Sequence, residues 1–447
     1  MTKYKLRNTA LDLLLRVEQG GFSHLLIDNE IKKKKVDTID EGLLTEIVYG
    51  TIQRRLTLDY AIQYFVNDPS KLKKWTNNLL RMSIYQMIYL DRVPPHAIIH
   101  EAVEIAKERG HKGIASLVNG VLRTLQREGM PDLAKIEDTE ERISIETSTP
   151  LWLVKRWAAT YGEQITAEMC RENLIKKPIS VRVQPLKITR DEAMKQLEEE
   201  GYETEPSIFS DQGIIINRGN ILHSSLFKDH LVTIQDQSSM LVAEMMSLEP
   251  GMRVLDSCSA PGGKTTHIAE KMEDQGEVLA FDIHEKKARL VSRKADELGL
   301  SIIQSAGFDA RKLQDEFPPE SFDRILVDAP CSGLGVARGK PDIKYNKKEE
   351  DIDNLSRIQK DILSNIAPLL KKTGKLVYST CTVDKTENEA VIEQFLEEYP
   401  DFEVDKEFFE QLPASLKNSM GVGKAGLQLF PQSYGTDGFF LVRLQKR

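Results

Sequence analysis

Apolar side chains in the first 130 residues recur every three or four positions, the period of helices that pack on one face. In "LLTEIVYGTIQRRLTLDYAIQYFV" that face is Leu44, Ile47, Val48, Thr51, Ile52, Leu56 and Tyr60, and "NLLRMSIYQMIYL" is apolar enough for a buried helix. Pro94 and Pro95 break the period, "HAIIHEAVEIAKERG" restores it, and Gly110 supplies a stop. The pattern predicts an all-α unit over residues 1–130. The stretch "PDLAKIEDTEERISIETSTP" that follows is acidic and poorly periodic, as a connector is. Periods then mix: helical "LWLVKRWAATYG" and "RDEAMKQLEEEG" alternate with strand-like "ISVRVQP", "GIIINRG" and "LVTIQD". Residues 131–235 therefore read as a linker and a small α+β subdomain. From 236 to 447 the strand-like runs "RVLD", "EVLAFD", "SIIQSAG", "DRILVD", "KLVYST" and "GFFLVRL" are separated by helical segments such as "KKARLVSRKADELG" and "RIQKDILSNIAPLLKK". This alternation predicts an open, largely parallel sheet with helices on both faces, whose ligands bind beyond the carboxyl ends of the strands.

A chain of 447 residues has room for two or three such domains. No stretch approaches the roughly 18 apolar residues of a membrane span, and the start lacks a sustained apolar leader, so a soluble cytoplasmic protein with no membrane partner is expected. Cys170, Cys258, Cys331 and Cys381 are too far apart for zinc-ligand pairs and too sparse for a disulfide scaffold, so no metal site is expected. The net charge of −8 argues against broad attraction to nucleic acid, but it is uneven: residues 1–130 hold 20 Lys and Arg against 15 Asp and Glu. That asymmetry permits a front end facing nucleic acid. Basic groups such as "IKKKK" and "KLKKW" read first as solvated faces.

One loop narrows the chemistry. "LDSCSAPGGKTTHIAE", residues 255–270, places a glycine pair between a strand and a helix. A phosphate-binding P-loop aligned on Gly263, Lys264 and Thr265 would need glycine where Cys258 stands, and the dinucleotide pattern lacks its third glycine. Backbone N–H groups at such a turn hold a carboxylate as readily as a phosphate, so an amino-acid cofactor fits. Asp282, about 20 residues on, closes the next strand where ribose hydroxyls are bound. Asp309 follows the third strand, and Asp328 ends the fourth. Three acids at successive strand ends favour an adenosine-containing cofactor, and cationic S-adenosylmethionine suits them better than a nucleoside triphosphate.

Two of the cysteines extend the argument. Cys331 in "DAPCSGLG" and Cys381 in "VYSTCTVDKTENEA" each lie just past a strand, and neighbouring strand tips, about 4.8 Å apart, face one crevice. Thiols beside a methyl donor suit methylation at C5 of a pyrimidine, where a thiolate adding at C6 makes C5 nucleophilic. One cysteine attacks, the second helps resolve the adduct, and Asp328 is placed to offset charge building at N3. A helix starting after "TCT" is placed to lower the nucleophile's pKa. Spacing alone does not order the two thiols.

With "PGGKT", "DAPCSG" and "STCT…ENE", the chain from about 230 to 447 resembles the RNA cytosine-5 methyltransferases. The resemblance implies a Rossmann-like, seven-stranded class I core. It assigns the cofactor loop to Cys258, Ser259, Ala260, Pro261, Gly262, Gly263 and Lys264, with Ser259 in place of a more usual alanine. It further implies that Asp282 binds ribose, Asp309 lies near adenine and Asp328 stands between cofactor and base. Cys381 is then the nucleophile, and Cys331 assists release. "VPPHAIIHEAVEIAK" followed by "SLVNGVLR" resembles the all-helical NusB domain. A NusB-like domain joined to this core is the architecture of bacterial 16S ribosomal RNA (cytosine-5) methyltransferases. It implies an RNA partner, an unpaired or flipped-out target base, and a monomer. Lys32 to Lys35, Arg54 and Arg55 are candidate phosphate contacts, and Arg338 and Lys340 candidate guides of the RNA backbone. Two other classes compete: a P-loop ATPase or helicase, which the missing glycine opposes, and a noncatalytic RNA-binding scaffold, which the acids and thiols oppose.

Overall fold

The computed structural model describes residues 4–33 and 37–447, which leaves Lys34 and Lys35 outside the described residues. The chain forms two compact units. One runs to Ile175 and also takes in Ala337–Lys347; the other comprises Lys176–Val336 and Lys348–Arg447.

The first unit is helical, with helices Lys5–Glu18, Ser23–Lys32, Glu41–Gln53, Arg55–Phe65, Lys74–Tyr89, Pro95–Arg109 and Lys112–Glu128. The face predicted over 44–60 breaks in the middle. Arg54 departs from helical geometry (φ −103°, ψ 14°), and the next helix restarts in a new register that buries Thr57, Leu58, Ala61 and Ile62. Leu56 and Tyr60 are consequently only half-buried. Gly50 lets helix Glu41–Gln53 touch helix Lys74–Tyr89, since a Cβ there would lie 1.9 Å from the Tyr85 ring. Pro95 opens its helix at a position where the missing N–H costs nothing. The acidic stretch after 130 is more than a connector: Asp138 caps a helix Thr139–Thr147, and helices Leu151–Tyr161 and Glu163–Glu172 follow in the same unit.

The strap Ala337–Lys347 completes this unit. Arg338 is buried, paired with Glu172 at 2.9 Å and donating to the Ile175 carbonyl at 2.6 Å. Ser23 donates to Asp342, and the Lys344 ammonium to the Gln53 carbonyl. Tyr345 donates to the Ser148 carbonyl at 2.8 Å.

The second unit holds two sheets. The smaller is antiparallel, ordered β2-β3-β1-β4 from β1 (Ile179–Val183), β2 (Glu203–Pro206), β3 (Gly213–Arg218) and β4 (Val232–Ile234). The larger contains β5 (Arg253–Asp256), β6 (Glu277–Asp282), β7 (Ile303–Gly307), β8 (Phe322–Asp328), β9 (Leu370–Thr380), β10 (Phe402–Val404), β11 (Val422–Gly423), β12 (Gly426–Leu429) and β13 (Phe439–Lys446). Its order is β11-β12-β13-β9-β8-β5-β6-β7, with β10 on β13. Strands β5 to β9 are parallel, and β13 runs against β9. The sheet is thus mixed and nine-stranded. The expected seven strands form its body, and the short β10 and β11 are additions too brief to leave a period in the sequence. Buried Leu, Ile, Val and Phe fill both faces. The chain leaves β5 for β6 on one side and reaches β8 on the other, so the β5 tip is the switch point where a ligand crevice opens.

Candidate active site

The glycine loop leaves β5 at Asp256 and enters helix Gly263–Lys271. Ser259 ties it to β6, its N–H and Oγ both donating to the Phe281 carbonyl, at 2.7 and 2.9 Å. Gly262 adopts φ 98°, and a Cβ there would lie 3.1 Å from the Val291 Cα, so a side chain would be both strained and crowded. The loop walls a cavity of about 210 Å3. Cys258, Ser259, Ala260, Pro261, Gly263 and Lys264 line it, with Asp256, Lys294 and Asp328 as further charged walls.

Asp256 is fully buried. One oxygen accepts from Thr265 Oγ1 at 2.7 Å, and Oδ1 has no partner among the described residues. Burial pushes its pKa up to about 7. The Lys294 ammonium stands 4.0 Å from where a Cβ on Gly263 would be, and burial followed by Arg182 pushes its pKa down to about 8. Arg182, on β1, is buried, chelates Glu270 and donates to the Gly263 carbonyl at 2.7 Å, which fixes the helix behind the loop. The sequence reading missed Asp256, Lys294 and Arg182 as site residues. None of them left a signal: in "ISVRV" Arg182 falls with Ser180 on the polar positions of the alternation, and only the structure shows it buried. Burial pushes the Cys258 thiol far above the ordinary thiol range, so it lines the cavity as a protonated group.

The three strand-end acids differ in their company. Asp328 accepts from Lys264 Nζ at 2.7 Å and from Ser379 Oγ at 2.8 Å. Asp282 ends β6, half-buried, and accepts from the His284 N–H at 2.9 Å. Asp309 caps the short helix Ala310–Asp315, and the Arg311 guanidinium takes both its oxygens and holds its pKa below the usual carboxylate range. Asp328 lines the 210 Å3 cavity; Asp282 and Asp309 stand along the same sheet edge beside it.

Parallel pairing sets Asp328 opposite Ser379, and Cys331 and Cys381 follow a few residues on. Their sulfurs lie 3.3 Å apart, unbonded. The neighbouring Cys381, then burial, then the charges of Glu387 and Asp328 push the pKa of Cys331 well above the thiol range. The helix expected to begin after "TCT" starts only at Glu389. The cation coupled to Cys381 is instead Lys264: burial works against its ammonium, but Asp328 and then Cys381 outweigh that and hold its pKa above the lysine value. Glu387 locks the two cysteine loops together. Buried, it accepts from the Ser332 N–H at 2.8 Å and Gln359 Nε2 at 3.1 Å, while Ser332 Oγ meets Thr382 Oγ1 at 2.9 Å.

In the helical unit the candidate RNA contacts separate. Arg54 lies over the Tyr89 ring at 4.5 Å and Arg55 over Tyr345 at 5.1 Å; Lys32 and Lys340 are exposed. Arg338, as a buried ion-pair partner of Glu172, is part of the fold and does not guide a substrate. Among the described residues no group of three or more His, Cys, Asp or Glu is arranged for a metal ion, and no helix is long and apolar enough to cross a membrane. Three carboxyl side chains lining one cavity, Asp236, Asp256 and Asp328, with the loop lysine already paired, oppose an ATP site.

A sheet of this order, with this loop and these acids at its carboxyl edge, defines a Rossmann-like methyltransferase core joined to a helical domain. Family models match successive parts of the chain: the NusB family over residues 4–127, an RsmF/B-like ferredoxin-like domain over 149–222, and the 16S rRNA methyltransferase RsmB/F over 243–445. The chain is 48% identical to the probable ribosomal RNA small subunit methyltransferase B of Bacillus subtilis (strain 168), covering 100% of both chains. The crystal structure of PH0851 matches with a TM-score of 0.82 at 26% identity, covering 99% of this chain and 98% of that one. A methyltransferase homologue from Pyrococcus horikoshii matches at 0.61 and 25% identity, covering 70% of this chain and 100% of its own. The chain belongs to the 16S rRNA methyltransferase RsmB/F family.

Proposed function

We propose that this protein transfers a methyl group from S-adenosylmethionine to C5 of one cytosine in 16S ribosomal RNA through a covalent bond between Cys381 and C6. The observation that carries the reading is the sulfur pair, 3.3 Å apart, beside the Asp328–Lys264 ion pair. The donor fits the 210 Å3 cavity chemically. Its amino-acid end carries an ammonium and a carboxylate, and the cavity offers the unpartnered Asp256 Oδ1 to the first and Lys294 to the second. Cys258 to Lys264 hold that end, Asp282 the ribose and Asp309 the region of the adenine. When bound, the donor supplies an electrophilic methyl group.

Cys381, its negative charge favoured by Lys264, adds to C6, and the electron pair pushed through the ring takes at N3 a proton passed from the Lys264 ammonium through Asp328, which returns by the same route when the thiolate leaves. C5 then takes the methyl group. Loss of the C5 proton to water re-forms the C5–C6 double bond and breaks the C6–S bond. Cys331, a thiol beside the departing sulfur, donates to the leaving thiolate. In this reading residues 1–130 bind RNA, 131–235 link, and 236–447 catalyse, in a cytoplasmic monomer.

Labelled methyl donor and unmodified ribosomal RNA test the proposal. Wild-type protein should label one cytosine at C5, Cys381→Ala should lose turnover at least a thousandfold, and Cys331→Ala should accumulate an RNA–protein adduct that survives denaturant on a gel. Normal methylation by Cys381→Ala would reject the mechanism.

A further inference from the structure

The helical unit contains a cavity of about 540 Å3 that the methyl-transfer chemistry does not use. That volume falls within the range of small-ligand sites, roughly 300 to 1,000 Å3. Its walls come from the start of helix Arg55–Phe65, from residues 141–152, and from the strap at 344–347. Tyr60, Trp152 and Tyr345 give aromatic surface, and Arg55 and Lys347 give positive charge.

Several of these groups are fixed in place. Tyr345 is held by its bond to the Ser148 carbonyl and by the Arg55 guanidinium over its ring. Asp59, the acid on the Arg55 side, is already occupied, since both its oxygens accept from Arg81 at 2.6 and 2.8 Å. Glu141, the other acid of the wall, is exposed to water. Arg55 Nε is buried without a hydrogen-bond partner among the described residues, and its nearest acid, Glu18, lies 4.0 Å from Nη2. A buried cationic donor left unsatisfied, inside a cavity with aromatic walls, matches a ligand with a flat ring and an anionic group. Nucleotides in single-stranded RNA have both, and proteins hold them by stacking on aromatic and guanidinium planes.

We propose that this cavity binds one unpaired nucleotide of the RNA substrate, its base against Trp152 and Tyr60 and its phosphate toward Arg55 and Lys347, at a site separate from the target cytosine. The inference rests on the RNA reading above and extends it to a second point of recognition.

The test uses the full-length protein and unmodified 16S ribosomal RNA. Trp152→Ala and, separately, Arg55→Gln should each raise the Kd for the RNA and its KM about tenfold, leaving kcat at saturating RNA and the Kd of the methyl donor unchanged. Trp152→Phe should restore affinity to near the wild-type value. RNA carrying 4-thiouridine should cross-link to the peptide containing Trp152. If wild-type protein binds and methylates the RNA while Trp152→Ala and Arg55→Gln bind within twofold of it, this inference fails and the proposed function stands. If wild-type protein neither binds nor methylates the RNA, both fall.

Discussion

Asp256 and Lys294 line the same 210 Å3 cavity, where burial pushes the pKa of the first up to about 7 and of the second down to about 8. The Asp256 carboxyl, with a pKa of about 7 in the folded chain, holds a proton that an ordinary aspartate releases near 4. Between those values the native state binds more protons than the unfolded state, so this group's contribution to stability falls as pH rises through the window and is level above it. The change amounts to about 4 kcal/mol. The unfolding midpoint of wild type relative to Asp256→Asn should therefore decline from pH 4 to 7. A ligand ammonium needs the ionised form, so donor affinity should drop up to tenfold per pH unit below 7, with proton release visible by calorimetry in buffers of different ionisation enthalpy. Lys294→Met should weaken S-adenosylmethionine binding about tenfold and leave methylthioadenosine, which has no amino-acid end, unaffected; equal losses for both would remove Lys294 from the site. Neither residue was legible as a site residue beforehand. Asp256 reads as the end of an apolar run and Lys294 as one charge among many on an exposed helix face, and only folding brings them to Gly263. Cys331 and Cys381 were legible because each follows a strand that the apolar pattern marks clearly. The order proposed for them comes from the family resemblance alone, since the structure places both sulfurs together without ranking them.

At the level of elements, the two cysteine loops depend on Glu387 and the turn that carries it. Removing its carboxylate leaves the Ser332 N–H buried without an acceptor, at about 1–3 kcal/mol, and leaves Gln359 Nε2 with the Pro330 carbonyl alone. Glu387→Ala should lower the unfolding midpoint by several degrees and slow methyl transfer, while donor affinity, which depends on the other side of β8, stays unchanged. A loss of donor affinity of the same size would mean that the turn supports the whole sheet edge. The parallel strands were readable because each is a short apolar run ending in an acid or a small polar residue. The helix break at Arg54 was not, since Leu56 and Tyr60 continue the period of the preceding helix in sequence although the backbone abandons it in space. The helix at Glu389 was placed too early for a related reason: "VDKTEN" looks like a helix start, yet Asp384, Glu387 and Asn388 spend their side chains on the cysteine loops and on local turns.

At the level of the molecule, the strap Ala337–Lys347 was invisible in the sequence, where its charges suggest a solvated loop. Arg338, Asp342 and Lys344 are all buried. A fragment ending at Ile175 would leave Glu172, Ser23 and the Gln53 carbonyl without these partners. It should melt well below the midpoint of the same unit in the intact protein, and a synthetic peptide of residues 337–347 added in trans should raise its midpoint; no response to the peptide would make the strap dispensable. The order of synthesis gives this arrangement a further consequence. Domains near the amino terminus ordinarily finish folding while the rest of the chain is still being made. Here the helices before Ile175 lack their last buried side chains until the strap to residue 347 has also been made, well after their own segment is complete.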